Sequence, residues 1–272
     1  MIVKELLESV AEPARGRRVV DVRIGLGYTA VKLDDNSCGL AGTPKEELSP
    51  YCHCTAVREA GSLAGREALS LAEWALSPEP LASALGIATI NALLSSRIEI
   101  KGQEGEGDIL EHLPIKKDDI IGMVGHFGPL VEPLRRRCKR LYIFERRFQG
   151  QAAEGLYPDW AAELLLPQCT VAIITGTTLV NKTIDHLLEL CRGPRLRLVA
   201  LAGATTPLSP LFARYGVSHL FGVRVRDPAR LLKVVSEGGG TPTFGDAVTK
   251  VAIELTPAGR ASRGLGGTAP SR

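Results

Sequence analysis

The chain of 272 residues has no run approaching the ~18 consecutive apolar residues that a membrane helix needs. Residues 1–10 alternate charged and apolar side chains and contain no signal-peptide core, so a cytoplasmic protein is expected. A strong net charge is also missing. Lys and Arg number 33 and Asp and Glu 30, and the resulting +3 is too weak to argue for nucleic acid. There is no P-loop, no His-Glu-x-x-His, no Gly-x-Ser-x-Gly and no Ser-His-Asp order, which removes the commonest nucleotide, metalloprotease and hydrolase signatures. The six cysteines, Cys38, Cys52, Cys54, Cys138, Cys169 and Cys191, fit a reducing compartment, where they serve as small core residues or ligands. What remains is an ordinary globular balance, 44% hydrophobic and 23% charged, long enough for one large or two modest domains.

The distribution of charge says more than its sum. Residues 257–272 hold Arg260, Arg263 and Arg272 and no acid, and with their glycines and lack of apolar periodicity they read as a disordered basic tail. Residues 1–112 carry 11 basic and 17 acidic side chains, a net −6. Residues 113–256 carry 19 and 13, a net +6. Two halves of opposite sign attract each other, and the positive half points to an anionic ligand.

The hydrophobic pattern changes at the same place. Residues 3–11 have helical spacing. Residues 17–24 and 28–33 read as strands joined by Gly25-Leu26-Gly27, with Val20, Val22 and Ile24 on one side of the first. A polar turn at 34–37 leads to a third strand at 38–41. Helices are expected over 65–76 and 81–95, and 101–107 reads as a glycine-rich linker. After Pro114, short apolar runs at 119–124, 140–144, 170–174, 197–202 and 217–221 alternate with helical segments at 129–138, 159–166, 179–191, 207–215 and 228–235. Asp159 is placed to cap the second of these helices. Strands alternating with helices predict a parallel sheet covered on both faces.

Ligands of such sheets sit at the carboxyl ends of the strands, near the point where strand order reverses. Three tips carry similar chemistry: Gly125-His126-Phe127-Gly128-Pro129, residues 176–183 with Thr177, Thr178, Asn181 and Thr183, and Gly203-Ala204-Thr205-Thr206-Pro207. Each sets a glycine where a strand ends and hydroxyl or imidazole groups where a helix begins. Unpaired N–H groups of a first helical turn suit a phosphate or carboxylate. The competing explanation is that Thr and Asn merely cap helices.

Glu145 ends the second run, where a dinucleotide fold places the acid that binds ribose. Alternatively it is a surface carboxylate paired with Arg146 or Arg147. Gly125-His126-Phe127-Gly128 is not Gly-x-Gly-x-x-Gly, and His126 and Phe127 would crowd a pyrophosphate, which disfavours NAD. The basic run 135–140 lacks interleaved aromatics and reads as a solvated face. Cys52-His53-Cys54 is the most metal-like segment, since thiolates and imidazole suit zinc or softer ions. No second Cys-x-x-Cys or His pair completes a site, and an extended segment points His53 away from the two thiols. Asn91 lies on the apolar stripe Ala84, Ile87, Ala88, Leu94 and needs a partner in the core or in a cleft between the halves.

The segments IGMVGHF at 121–127, IITGTTLVNKT at 173–183 and GATTPLSPLF at 203–212 resemble the family of heavy-metal chelation domains, as do Tyr215-Gly216-Val217 and Gly222. IATINA at 87–92 is similar to that family's motif in its first domain. The resemblance implies an α/β protein. An α+β domain similar to the enolase N-terminal domain would occupy 1–112, and a Rossmann-like parallel-sheet domain 113–256. It implies a site in the interdomain cleft built from Asn91, Gly125, His126, Glu145, Thr177, Asn181, Thr183, Gly203 and Thr205, to which the tips add Thr178 and Thr206. His126 and Glu145 are the candidates for proton transfer or ligation, and Cys52, His53 and Cys54 for a metal. The implied cofactor is a divalent or heavy-metal ion, and the implied partner a polar or anionic small molecule or metal chelate. A homodimer is expected, with no nucleic acid and no membrane. An adenosine-cofactor enzyme, a methyltransferase or oxidoreductase using Glu145, is the alternative.

Overall fold

The computed structural model describes residues 1–45, 47, 55–95, 104–107, 109–146 and 155–256. Cys52, His53, Cys54, Arg147 and the basic tail lie outside these. The chain opens with α1 (Ile2–Ser9), whose Ile2, Val3 and Leu6 are buried. The strands β1 (Val19–Ile24), β2 (Tyr28–Leu33) and β3 (Cys38–Gly42) form an antiparallel sheet in that order. The predicted alternation of β1 is broken by a bulge between Val19 and Asp21. Val19 is therefore the buried residue, while Val20 and Ile24 are exposed. In the β2–β3 turn, Asp35 Oδ1 accepts the Ser37 N–H at 3.0 Å and Asn36 takes a left-handed φ of 68°.

Then come α2 (Ala68–Ala72), shorter than predicted because its last turn tightens to a 3-10 helix over Glu73–Leu76, and α3 (Pro80–Ser95). Helix α3 is apolar nearly all round and is the central helix of this half, packed on β2 and β3. It approaches β3 so closely that a Cβ on Gly39 would stand 2.2 Å from Ala88 O and Ala92 N.

The linker predicted at 101–107 instead contains a short strand, β4 (Glu104–Glu106), paired into the second sheet. Then follow α4 (Ile109–His112), β5 (Ile120–Val124), α5 (Gly128–Arg137), β6 (Arg140–Glu145), β7 (Leu156–Pro158), α6 (Ala162–Leu165), β8 (Val171–Thr175), α7 (Ile184–Leu190), β9 (Leu198–Ala202), β10 (His219–Val225), α8 (Pro228–Ser236) and β11 (Val248–Glu254). The second sheet has eight strands in the order β4-β11-β10-β9-β8-β5-β6-β7. Strands β5 to β10 are mutually parallel. Numbered from β5, they run 3-2-1-4-5-6, the doubly wound order whose direction reverses between β5 and β8. Strands β11 and β4 extend one edge in antiparallel fashion.

The apolar runs of β5, β6 and β8 are buried on both faces, as a covered parallel sheet requires. Three predicted helices differ. The segment after β8 first forms a 3-10 turn at Gly176–Leu179, and α7 starts only at Ile184, because Lys182 adopts φ 65° and ends the turn. The segment 207–215 forms a 3-10 helix, Pro210–Tyr215, with Pro210 at its first turn. Asp159 does not cap a continuous helix; it opens a 3-10 turn, Asp159–Ala161, that precedes α6. The largest apolar core is continuous across both sheets, joining Ile2, Leu6, Leu85 and Ile90 to Ile174, Leu188 and Phe212.

Candidate functional site

The first tip leaves β5 through Gly125, whose φ of 89° is costly for any residue with a Cβ. A Cβ there would also stand 3.1 Å from Thr175 Cβ, so any other residue would have to push the Thr175 side chain aside by a few tenths of an ångström where β5 and β8 part. Next, the His126 backbone N–H donates to Glu145 Oε2 at 3.0 Å. The carboxylate at the end of β6 thus reaches across to β5 and takes up the tip amide that an anion would otherwise use. Arg146 pairs elsewhere than with Glu145. Its Nη1 lies 2.7 Å from Glu47 Oε1, and its Nε lies 3.3 Å from Asp159 Oδ2. It therefore ties the segment after β3 to the turn after β7.

The second tip spends several of its polar groups on its own turn. Thr175 Oγ1 accepts the Thr177 N–H at 3.3 Å, and Thr178 Oγ1 donates to Thr175 O at 2.7 Å. Thr183 Oγ1 donates to Asn181 Oδ1 at 2.7 Å. With that oxygen engaged, Asn181 meets a ligand chiefly as an N–H donor. Lys182, not singled out by the sequence reading, donates from Nζ to Val180 O at 3.1 Å and to Ser83 Oγ. Burial lowers its pKa to about 8. Its bonds hold the tip against the first turn of α3.

These two tips converge on a cleft of about 690 Å³ at the point where strand order reverses. Gly125, His126, Glu145, Thr177, Thr178, Asn181 and Thr183 all line it. Thr43, Pro44 and Glu47, which follow β3, supply a wall from the first half. Arg146, Asp159, Trp160, Glu163 and His186 also line it and lie outside the site that the sequence predicts. Trp160 is 67% exposed at this site, and His186 Nε2 contacts Glu163 Oε1. The lining carries the carboxylates Glu47, Glu145, Asp159 and Glu163, the guanidinium Arg146 and two imidazoles.

The third tip does not reach this cleft. Gly203 has φ 102°, and the ring of Phe127 lies 3.7 Å from where its Cβ would be. Thr205 and Thr206 are each 3% exposed. Thr205 Oγ1 accepts the Gly42 N–H at 2.9 Å. Asn91 Nδ2 donates to Leu40 O at 2.7 Å and to Thr205 O at 2.9 Å. Asn91, Thr205 and Thr206 thus build the seam that holds β3 and α3 against the parallel sheet, while Gly203 faces Phe127 instead. The second and third tips also approach closely, since a Cβ on Gly176 would stand 2.6 Å from Thr206 N. Asn91 Oδ1 and Thr206 Oγ1 are buried without a protein partner, and the crevice they line, about 20 Å³, has the size of one water.

Among the described residues, no three His, Cys, Asp or Glu side chains come together as a metal site. The four carboxylates and two imidazoles surround the cleft instead of converging on one point. This donor set does not fit a metal ion held by the described side chains alone. Among the described residues, no helix is long and apolar enough to cross a membrane. The basic run is a solvated helix end, with Arg135 paired to Glu132 at 2.9 Å and Arg137 Nη1 donating to Leu110 O at 2.6 Å.

Two family profiles, both described as "Putative heavy-metal chelation", match residues 7–94 and 108–254. The chain belongs to that family. An uncharacterized protein of Methanocaldococcus jannaschii is 27% identical over 266 residues, which cover 94% of this chain and 98% of the relative. The crystal structure of a family member of unknown function from Pyrococcus horikoshii has a TM-score of 0.78 at 24% identity, over 94% of this chain and 100% of that one. A second family member of unknown function, from Desulfitobacterium hafniense, has a TM-score of 0.73 at 26% identity, over 92% and 98%.

Proposed function

We propose that this member of the heavy-metal chelation family binds a polar small molecule together with its metal ion, as a preformed chelate, in the cleft at the β5/β8 reversal point. The observation that carries this reading is the lining itself. Seven polar or glycine positions from three strand ends face a wall from the first half around one cavity of about 690 Å³, a volume suited to a small organic ligand. Among the described residues, four carboxylates against one guanidinium make the lining acidic, although three of the four, Glu145, Asp159 and Glu163, belong to the half of the chain that carries a net +6. An acidic wall repels a bare anion and attracts a cation or a chelate that keeps positive charge on its metal. Asn181 and the threonine hydroxyls would hydrogen-bond the organic part. Because the carboxylates and imidazoles surround the cleft without converging, a single one of them, such as His126, would meet a position of the metal that the chelator leaves open.

The adenosine-cofactor reading has one point in its favour: Glu145 ends the second strand of the doubly wound order, the place of a ribose-binding acid. Its Oε2 is engaged by the His126 N–H, which favours the chelate. A second role for metal is supported by residue type. Cys52-His53-Cys54 offers two thiolates and an imidazole, which suit zinc or softer ions. In this reading the segment hands metal to the cleft. Elemental analysis of the purified Cys52→Ser/Cys54→Ser variant tests it, and unchanged metal content would refute it.

The main proposal is tested by thermal shift with divalent metals alone, organic chelators alone and the preformed chelates. Stabilisation by chelates in excess of both components is expected. Stabilisation by adenosine ligands but by no chelate, abolished by Glu145→Gln, would transfer support to the alternative.

A further inference from the structure

Strand β1 is the edge of its three-stranded sheet. Among the described residues, its outer side is paired only at the start. The Val19 N–H donates to Arg66 O at 2.9 Å and Val19 O accepts the Gly65 N–H at 2.8 Å. From Val20 to Ile24 no described strand lies beside it. The hairpin closes with the Gly25 N–H donating to Tyr28 O at 2.9 Å. The register Val22↔Val31, Arg23↔Ala30, Ile24↔Thr29 then turns the N–H and C=O of Val22 and Ile24 away from β2, because bonded and non-bonded pairs alternate. Val20 is 46%, Ile24 42% and Leu26, at the hairpin tip, 71% exposed. An edge with outward amides, exposed apolar side chains and no proline is a template for another strand.

The order of residues on this edge identifies the strand that fits it. Antiparallel pairing centred on Val22 sets Asp21 opposite Arg23 of the partner subunit and Val20 opposite Ile24 of the partner subunit. A two-fold axis repeats both couples, so the edge is complementary to itself. Centring one residue either way would set Asp21 or Arg23 against its own copy. Within one chain, Arg23 Nε lies 2.7 Å and Nη2 2.9 Å from the two oxygens of Asp21. Across the axis, two such pairs would face each other at non-hydrogen-bonded positions, where cross-strand side chains approach closest.

We infer that the chain forms a two-fold homodimer by joining the edge strands β1 of two copies in antiparallel register about Val22, making one six-stranded sheet. Sedimentation equilibrium of the full chain is expected to give twice the 29.1 kDa mass. Asp21→Arg or Arg23→Asp alone places like charges opposite each other twice and should raise the dimer dissociation constant roughly tenfold. The double exchange Asp21→Arg/Arg23→Asp restores complementarity and should restore the dimer. Ile24→Lys, at an exposed position, should weaken it without disturbing the circular dichroism spectrum. A monomeric wild type at every accessible concentration would overturn the inference. So would a dimer indifferent to both single reversals and to Ile24→Lys.

Discussion

Replacing Asp119 with asparagine should destabilise the protein strongly at neutral pH and leave the cleft intact. Asp119 is 2% exposed and immediately precedes β5. Its Oδ1 accepts from Thr170 Oγ1 at 2.7 Å and from Arg197 Nε at 3.0 Å. Its Oδ2 accepts from the Lys116 N–H at 2.7 Å and from Arg197 Nη2. Thr170 immediately precedes β8 and Arg197 immediately precedes β9, so one carboxylate fastens the starts of three adjacent strands. Burial alone would raise its pKa. The hydrogen bonds from Arg197, the Lys116 amide and Thr170, with the Arg197 charge, outweigh burial and hold it below the usual carboxylate range.

An asparagine would turn an N–H₂ toward one set of these donors. Breaking a buried ion pair costs about 3–5 kcal/mol, and here the low end or slightly less, about 2–3 kcal/mol, is expected. The reason is that the Arg197 side chain is 28% exposed and keeps a bond to Pro114 O at 2.8 Å. For a chain of this size that corresponds to a Tm lower by roughly 4–12 °C. Because the folded-state pKa is depressed, the carboxylate's stabilisation is fully present above its unfolded pKa of about 3.9. It is lost as pH falls through the folded value. Urea unfolding of wild type and Asp119→Asn should therefore differ by a constant amount near neutrality, and the gap should narrow once pH falls below the unfolded pKa of about 3.9 and close as pH falls through the lower folded value. A difference under about 0.5 kcal/mol at pH 7, or one that persists unchanged in acid, would refute the reasoning.

Thr205→Val removes the acceptor of the Gly42 N–H in the seam, and should cost about 1–2 kcal/mol in chemical denaturation. Gly125→Ala forces a Cβ onto a φ of 89° and against Thr175. It should cost about 1–2 kcal/mol in stability and weaken chelate binding in calorimetry, whereas Thr205→Val should weaken stability alone.

The parallel sheet was legible because strands buried on both faces must be continuous apolar runs, and β5, β6, β8 and β9 are such runs. Strand β11 was not anticipated, and Glu104–Glu106 reads as linker because its three residues are polar or glycine. Their strand state comes from pairing with β11, not from local pattern. The first two tips were read as site residues and do line one cleft. The third has the same local chemistry. Thr205 faces the seam because the Gly42 N–H and the Asn91 amide engage it there, a choice made by packing between distant segments. Local charge was hidden for the same reason. Glu145, Asp159 and Glu163 come from three separate elements of the net +6 half, and Glu47 from the first half; they surround one cleft only in the fold, so the described lining is acidic although most of it belongs to a basic half.

The central claim is tested most directly by anomalous diffraction from crystals of the protein soaked with a metal chelate, recorded at the metal's absorption edge. One anomalous peak is expected inside the cleft, within reach of His126, Glu145 and Asn181, with the organic part against the threonines of the second tip. A cleft without a peak while the metal sits elsewhere on the chain would contradict it.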